Sequence, residues 1–260
     1  MSVASLERLL ERRFSGAAVH GAVDAPPRGW RTGIASVDLA LGSAGLPQGR
    51  LSELFGERSS GKTTLAYAVL AACTRSGEIG AYVDPEAGLF APAAAAAGID
   101  LARLIVVRPT QIDALRRAVD ALVRSGACSV VVLDGWSVNA LQTPHYARLA
   151  AQAQRHGTTL IVLSHGTSQA LASFASLRIH LLGTTALWQP GCDGSDRLSG
   201  YRIAFTIAKS KIGTPGKGAT FDVQFPEVAG SWPATAASID AAAAAFDGEE
   251  EAEARRVSSA

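Results

Sequence analysis

Cysteine is scarce in this chain, and its spacing excludes most of what cysteine does. Cys73, Cys128 and Cys192 are the only three, they lie far apart, and no C-x-x-C pair occurs. An odd count of separated thiols suits a reducing compartment and implies neither a disulfide framework nor a structural metal. Charge of one sign is missing too: 24 Lys and Arg stand against 23 Asp and Glu, a net charge of +1. No basic field covers the molecule, so contact with nucleic acid has to come from a local patch. No apolar run approaches the ~18 residues of a membrane span, and the charged N-terminus lacks the apolar stretch of a secretory signal. His145 and His156 have no metal-ligand spacing with each other or with a cysteine. Together these absences predict a soluble cytoplasmic protein with no membrane partner.

What is present reads as one medium α/β domain with terminal extensions, since 260 residues at 48% hydrophobic suffice for one sizeable core but not for two. Leu6, Leu9, Leu10 and Phe14 recur at helical spacing among charged residues, which predicts an amphipathic helix. Pro26, Pro27 and nearby glycines then make a connector that ends near Trp30, so residues 1–32 form a first segment. Residues 33–229 form the core. Its strand-length apolar runs at 51–55, 79–83, 104–107, 130–133 and 160–163 predict buried parallel strands. Ile112, Leu115, Val119, Leu122 and Val123 mark an amphipathic helix between two of them, and residues 146–156 a weaker one after Pro144. The runs at 177–182, 203–208 and 221–225 have no long helices between them and predict antiparallel, hairpin-like additions. The stretch 184–200, with Pro190, Gly191 and Gly194, reads as the tip of a hairpin. Residues 230–260 form an alanine-rich and charged tail, whose helix has to dock or fray.

One motif carries chemistry. Gly56-Glu57-Arg58-Ser59-Ser60-Gly61-Lys62-Thr63 fits G-x-x-x-x-G-K-[ST], directly after the run 51–55 and before the helical stretch 64–73. Glycines let backbone N–H groups turn onto phosphate oxygens at a helix N-terminus, a lysine neutralises the β- and γ-phosphates, and the Thr63 hydroxyl suits Mg²⁺. Asp134 ends the run Val130-Val131-Val132-Leu133, where a carboxylate at the C-terminal edge of a parallel strand suits the metal shell; the alternative is an ordinary strand-ending Asp before Gly135. Asp84 and Glu86 close the run 79–83 in the same way, and Glu86 is placed to orient or deprotonate an attacking water. Ser164 and His165 with Asp134 suggest a hydrolase triad only superficially, because adjacent residues at a strand end point to opposite faces.

In this order the segments resemble the RecA recombinase family over residues 33–225. The stretches from Thr32 to Gly42 and from Gly45 to Arg50 resemble the entry to that family's core, and Ser59-Ser60-Gly61-Lys62-Thr63-Thr64 its phosphate loop. The resemblance implies an α/β fold of RecA-like P-loop type, a mainly parallel sheet flanked by helices with antiparallel additions. It implies ATP and Mg²⁺ as cofactors, held by residues Gly56 to Thr64, with Thr63 and Asp134 on the metal. Val83-Asp84-Pro85-Glu86 lies where the family carries its catalytic glutamate, which implies that role for Glu86 beside Lys62. Lys209-Ser210-Lys211 resembles the paired lysines that reach across a filament interface to the neighbour's ATP; a solvated strand end is the plain alternative for Lys209 and Lys211.

The departures fall where the family touches DNA and adenine. Too few residues separate Asp134 from the strand near Thr159 for the family's first DNA loop plus a full helix. From His165 to Leu177 there is no Arg or Lys, so the electrostatic term that dominates single-strand affinity is missing there. Ala93 and Phe90 stand at the adenine-stacking and base-contacting positions; Phe90 is either a replacement stacker or a core side chain. A RecA core with reduced DNA loops and no large C-terminal domain resembles the ImuA-like branch, itself similar to the cell-division inhibitor SulA. This implies an accessory role in translesion synthesis. The partners so implied are RecA, an ImuB-like subunit or a replicative-type error-prone polymerase, with weak DNA contact and self-association open. The competing expectation is a minimal DNA-dependent ATPase or recombinase.

Overall fold

The computed structural model describes residues 29–42, 45–135, 141–166, 168–190, 195–211, 213 and 215–225. The helix expected from Leu6 to Phe14 and the alanine-rich tail lie outside them. Described residues begin in a small ladder of β1 (Gly29–Trp30) with β2 (Leu46–Pro47) around α1 (Ala35–Leu41). Asp38 braces this entry by accepting from the Thr32 backbone at 2.8 Å and the Thr32 hydroxyl at 2.9 Å. Trp30, read from sequence as the edge of a connector, is tied to the core: its indole donates to the Thr159 hydroxyl at 3.1 Å.

Eight strands form the main sheet: β3 (Leu51–Phe55), β4 (Gly80–Val83), β5 (Leu104–Val107), β6 (Val130–Leu133), β7 (Thr159–Ser164), β8 (Leu177–Pro190), β9 (Asp196–Ser210) and β10 (Gly218–Gln224), in the order β10-β9-β8-β3-β7-β6-β4-β5. The chain from β8 to β5 is parallel throughout. The continuous apolar runs are the reason: strands covered on both faces bury every residue, and β3, β4, β6 and β7 do so completely.

Alternation along these strands sorts the core into two layers. Leu54, Tyr82, Val130, Val132, Ile161 and Leu163 face α2 (Lys62–Arg75). Ala81, Val83, Val131, Leu133, Leu160 and Val162 face α4 (Ile112–Ser125) and α5 (Thr143–His156). Leu115, Val119 and Val123 fall on one stripe of α4, as do Tyr146, Leu149 and Ala153 on α5. Each large aliphatic side chain so buried contributes about 1.5–3 kcal/mol relative to exposure. The short helices α3 (Ala91–Ala96) and α6 (Gln169–Phe174) complete the set.

Two expectations change at the C-terminal side. The run from Leu177 was read as a hairpin addition, yet β8 is a hybrid, parallel to β3 from Leu177 to His180 and antiparallel to β9 on its other edge. The stretch read as a hairpin tip is mostly strand: β8 and β9 stay paired from Gly183–Ala204 out to Pro190–Asp196. β3 stops pairing at His180, while β10 still flanks β9 as far as the Arg202–Asp222 ion pair, so the part of β8 and β9 beyond that pair projects as an arm. Trp188 stands on it, 60% exposed.

Candidate phosphate-binding site

The P-loop runs from the end of β3 straight into α2. Gly56 and Gly61 are required by what surrounds them. A Cβ on Gly56 would sit 2.2 Å from the Leu181 carbonyl oxygen, and one on Gly61 would sit 2.6 Å from the Ile203 side chain. Both have positive φ, as does Ser59 between them at 57°. The loop therefore lies tight against β8 and β9, and the chain enters the helix through the left-handed Gly61.

Lys62 sits inside the loop. Its ammonium donates to the carbonyls of Gly56 at 2.7 Å and Glu57 at 2.5 Å and lies 3.4 Å from the Ser60 hydroxyl, and only 5% of the residue is exposed. Burial lowers its pKa, an effect partly offset by the carboxylates of Asp134 and Glu57. An ammonium held this way is short of negative charge, which a phosphate oxygen would supply. Thr63 is exposed beside it, Thr64 and Gly61 are half-buried, and Glu57 and Arg58 point outward as exposed residues.

Asp134 ends β6, its backbone N–H held by the Val83 carbonyl at 3.1 Å. Its Oδ2 accepts the phenol of Tyr82 at 2.5 Å. Tyr82 is fully buried on β4, with Tyr67 of α2 edge-on at 5.9 Å between centroids. Burial, then the charge of Asp134, drives the Tyr82 pKa well above the ordinary phenol value, so it remains a donor. Sequence reading passed over Tyr82, because an aromatic inside an apolar strand looks like core; its one signal is a phenol two residues before the Asp84 carboxylate.

Glu86 is exposed and lies over Gly135, where a Cβ would come 3.1 Å from Glu86 Cγ. The fold thus brings Lys62, Asp134 and Glu86 to one edge of the sheet, the C-terminal ends of β3, β6 and β4. Asp84, by contrast, is buried and structural. It accepts from the N–H groups of Gly88 at 2.8 Å and Leu89 at 3.1 Å and from Arg108 at 3.2 Å, which fixes the turn that carries Glu86. Phe90 caps α3 and is 65% exposed, so it is not a core side chain; Ala93 is exposed as well.

Lys209 and Lys211 are not brought to this edge within one chain. Lys209 pairs in register with Arg178 near the start of β8, at the level of Glu53, and donates to the Ala172 carbonyl at 2.6 Å at the end of α6. Burial and the neighbouring cations Lys211 and Arg178 lower its pKa. Lys211 is exposed, its backbone N–H bound to the Ser176 carbonyl at 2.8 Å. Ser164 is no nucleophile, since it is buried and donates to Glu53 at 2.8 Å. His145 accepts from the Gln142 backbone and caps α5. Among the described residues no group of three or more His, Cys, Asp and Glu is arranged to hold a metal ion, and no helix is long and apolar enough to cross a membrane.

The family model of the RecA N-terminal domain matches residues 28–157, half of the chain. The chain belongs to the RecA family. It is 33% identical over 234 residues to Protein RecA of Campylobacter lari, with 75% of this chain and 66% of that protein covered. To Protein RecA of Corynebacterium aurimucosum it is 32% identical over 259 residues, covering 84% of this chain and 67% of that protein. This RecA-family chain therefore spans about two thirds of the length of such relatives. The crystal structure of the RadB recombinase shares its fold, with a TM-score of 0.58 at 22% identity over 75% of this chain and 96% of that one. The sheet, the helices on both faces and the antiparallel strands at one side are the RecA-like fold.

Proposed function

We propose that this chain is a RecA-like ATP-binding accessory protein of DNA damage tolerance, acting through contacts with RecA or an error-prone polymerase assembly. The observation that carries the nucleotide part is the enclosure of Lys62 by the Gly56 and Glu57 carbonyls inside a loop whose glycines admit no side chain. The donor set fits ATP with Mg²⁺. Gly56 to Thr64 would hold the phosphates, Lys62 would neutralise them, and Thr63 and Asp134 would serve the metal shell. Bound ATP would supply the transferable phosphoryl group, and Mg²⁺ the charge that offsets it. Glu86, packed over Gly135, is the group to orient a water.

The accessory part rests on what is short of charge. Helix α5 begins at Thr143, which leaves little chain after Asp134 for a DNA-binding loop. From His165 to Leu177 there is no Arg or Lys, and α6 fills much of that stretch. Without such charge, affinity for single strands has little electrostatic support. Kinship to the ImuA-like branch and a role in translesion synthesis belong to this reading. A second reading, a minimal DNA-dependent ATPase, is favoured by the placement of Glu86; on this reading Lys209 and Lys211, which lie away from this chain's own loop, would act on the site of a neighbouring chain.

The two separate on ATP hydrolysis measured with and without single-stranded DNA. The accessory reading expects little stimulation, whereas the ATPase reading expects strong stimulation that fades with salt. Calorimetry with ATP and Mg²⁺ tests the shared part, and Lys62→Ala is expected to abolish uptake. Failure of the unmodified chain to bind nucleotide would remove both readings.

A further inference from the structure

Tyr82 does more than fill the core. A phenylalanine would pack the same ring against Tyr67 and α2; the added hydroxyl finds its partner in Asp134, at 2.5 Å, across two adjacent strands. A hydrogen bond to an ionised acceptor is strong and directional. It holds one carboxylate oxygen, Oδ2, toward the core, while the backbone of Asp134 is itself fixed by the Val83 carbonyl. The carboxylate therefore does not turn freely, and with one lone pair of Oδ2 committed to Tyr82, Oδ1 is the oxygen better placed to serve a cation.

That restriction has a chemical consequence. Mg²⁺ is small, strictly octahedral, and takes one oxygen from a carboxylate or reaches it through water, whereas Ca²⁺ accepts six to eight oxygens and commonly takes both of a carboxylate. A partner outside the metal shell that reserves one ligand oxygen thus favours the smaller ion. We propose that Tyr82 is a positioning residue that sets metal preference at the nucleotide site, by reserving Oδ2 of Asp134 and so favouring Mg²⁺ over Ca²⁺. The inference rests on the nucleotide reading above and adds to it a residue and a selectivity.

The test uses the full chain and a fluorescent ATP analogue, titrated without divalent metal and then in Mg²⁺ and Ca²⁺ series, for the parent and Tyr82→Phe. The variant loses one oxygen atom and keeps the ring, so the core is retained. Tyr82→Phe is expected to lower the Mg²⁺-to-Ca²⁺ preference by about tenfold, with metal-free affinity for the analogue unchanged; a purely structural role would change metal-free binding along with the rest. If the parent takes up the analogue with Mg²⁺ and Tyr82→Phe keeps the parent's ratio, this inference alone is overturned. If the parent takes up none at any metal concentration, the nucleotide reading falls and the inference with it.

Discussion

Arg178 of β8 donates through Nε to the carboxylate of Glu53 on the neighbouring strand β3, and the same guanidinium lies 4.5 Å over the ring of Phe55. Glu53 is fully buried, and its other oxygen accepts from Ser164 on β7. Phe55 in turn stacks on His180 at 4.5 Å. Three adjacent strands are thus cross-linked by side chains directly below the P-loop.

Removing the cation leaves a buried carboxylate short of its counter-charge. Arg178→Ala is expected to destabilise the chain by about 3–5 kcal/mol in urea unfolding. The double change Glu53→Leu, Arg178→Met is expected to cost less than Arg178→Ala alone, because no unpaired charge remains. Equal losses for the two proteins would show that the pair contributes only packing.

Asp84 governs the turn under Glu86. Asp84→Ala removes the acceptor of two backbone N–H groups and of Arg108, and should cost about 2–3 kcal/mol. Limited proteolysis is expected to cut within residues 85–89 in the variant and not in the parent. Asp84→Asn, which keeps one acceptor oxygen, should fall between them.

At the loop, the two glycines differ in what opposes a methyl group. Gly56→Ala meets the backbone of Leu181, which cannot give way, while Gly61→Ala meets the flexible end of Ile203. Gly56→Ala is therefore expected to be the more destabilising of the two, and both carry about 1–3 kcal/mol of backbone strain. Gly61→Ala combined with Ile203→Ala should cost less than the sum of the single changes, by thermal or urea unfolding.

Cys73 supplies a pH dependence. Burial pushes its thiol from the ordinary 9.0 up to about 12. Its contribution is fully present below pH 9, where both folded and unfolded chains hold the proton, and is lost as pH rises from 9 toward 12, where the unfolded chain releases it first. Unfolding midpoints measured from pH 7 to pH 10.5 should decline, and Cys73→Ala, although less stable overall, should show a shallower decline. Identical slopes would assign the alkaline loss to other groups.

Much of the sheet was legible because its physics is one-dimensional. A strand covered on both faces is mostly apolar, so 51–55 and 130–133 were readable to the residue; 104–107 was readable as a strand but not as a buried one, since β5 is the sheet's edge and leaves Ile105 and Val106 exposed. The stripe of Leu115, Val119 and Val123 was readable for the same reason at a helical period. The arm was not: residues 184–190 and 196–200 hold Thr, Gln, Pro, Ser and Gly, which locally favour turns, and they are strand because seven cross-strand pairs, from Thr184–Ile203 to Pro190–Asp196, hold them there. At the candidate site, the phosphate loop and the positions of Asp134 and Glu86 could be read from spacing. The bond from Tyr82 to Asp134 could not, since it joins residues 52 apart in sequence through strand order alone.

The strand β9 touches both halves of this machinery. Ile203 lies against Gly61 of the phosphate loop, and further along the same strand Lys209 holds the last carbonyls of α6. A ladder-bound strand has a nearly fixed rise of about 3.3 Å per residue and does not stretch. Lifting the loop must therefore either unseat Ile203 or pull on the helix end, which makes β9 a tie-rod between the P-loop and the opposite rim of the sheet.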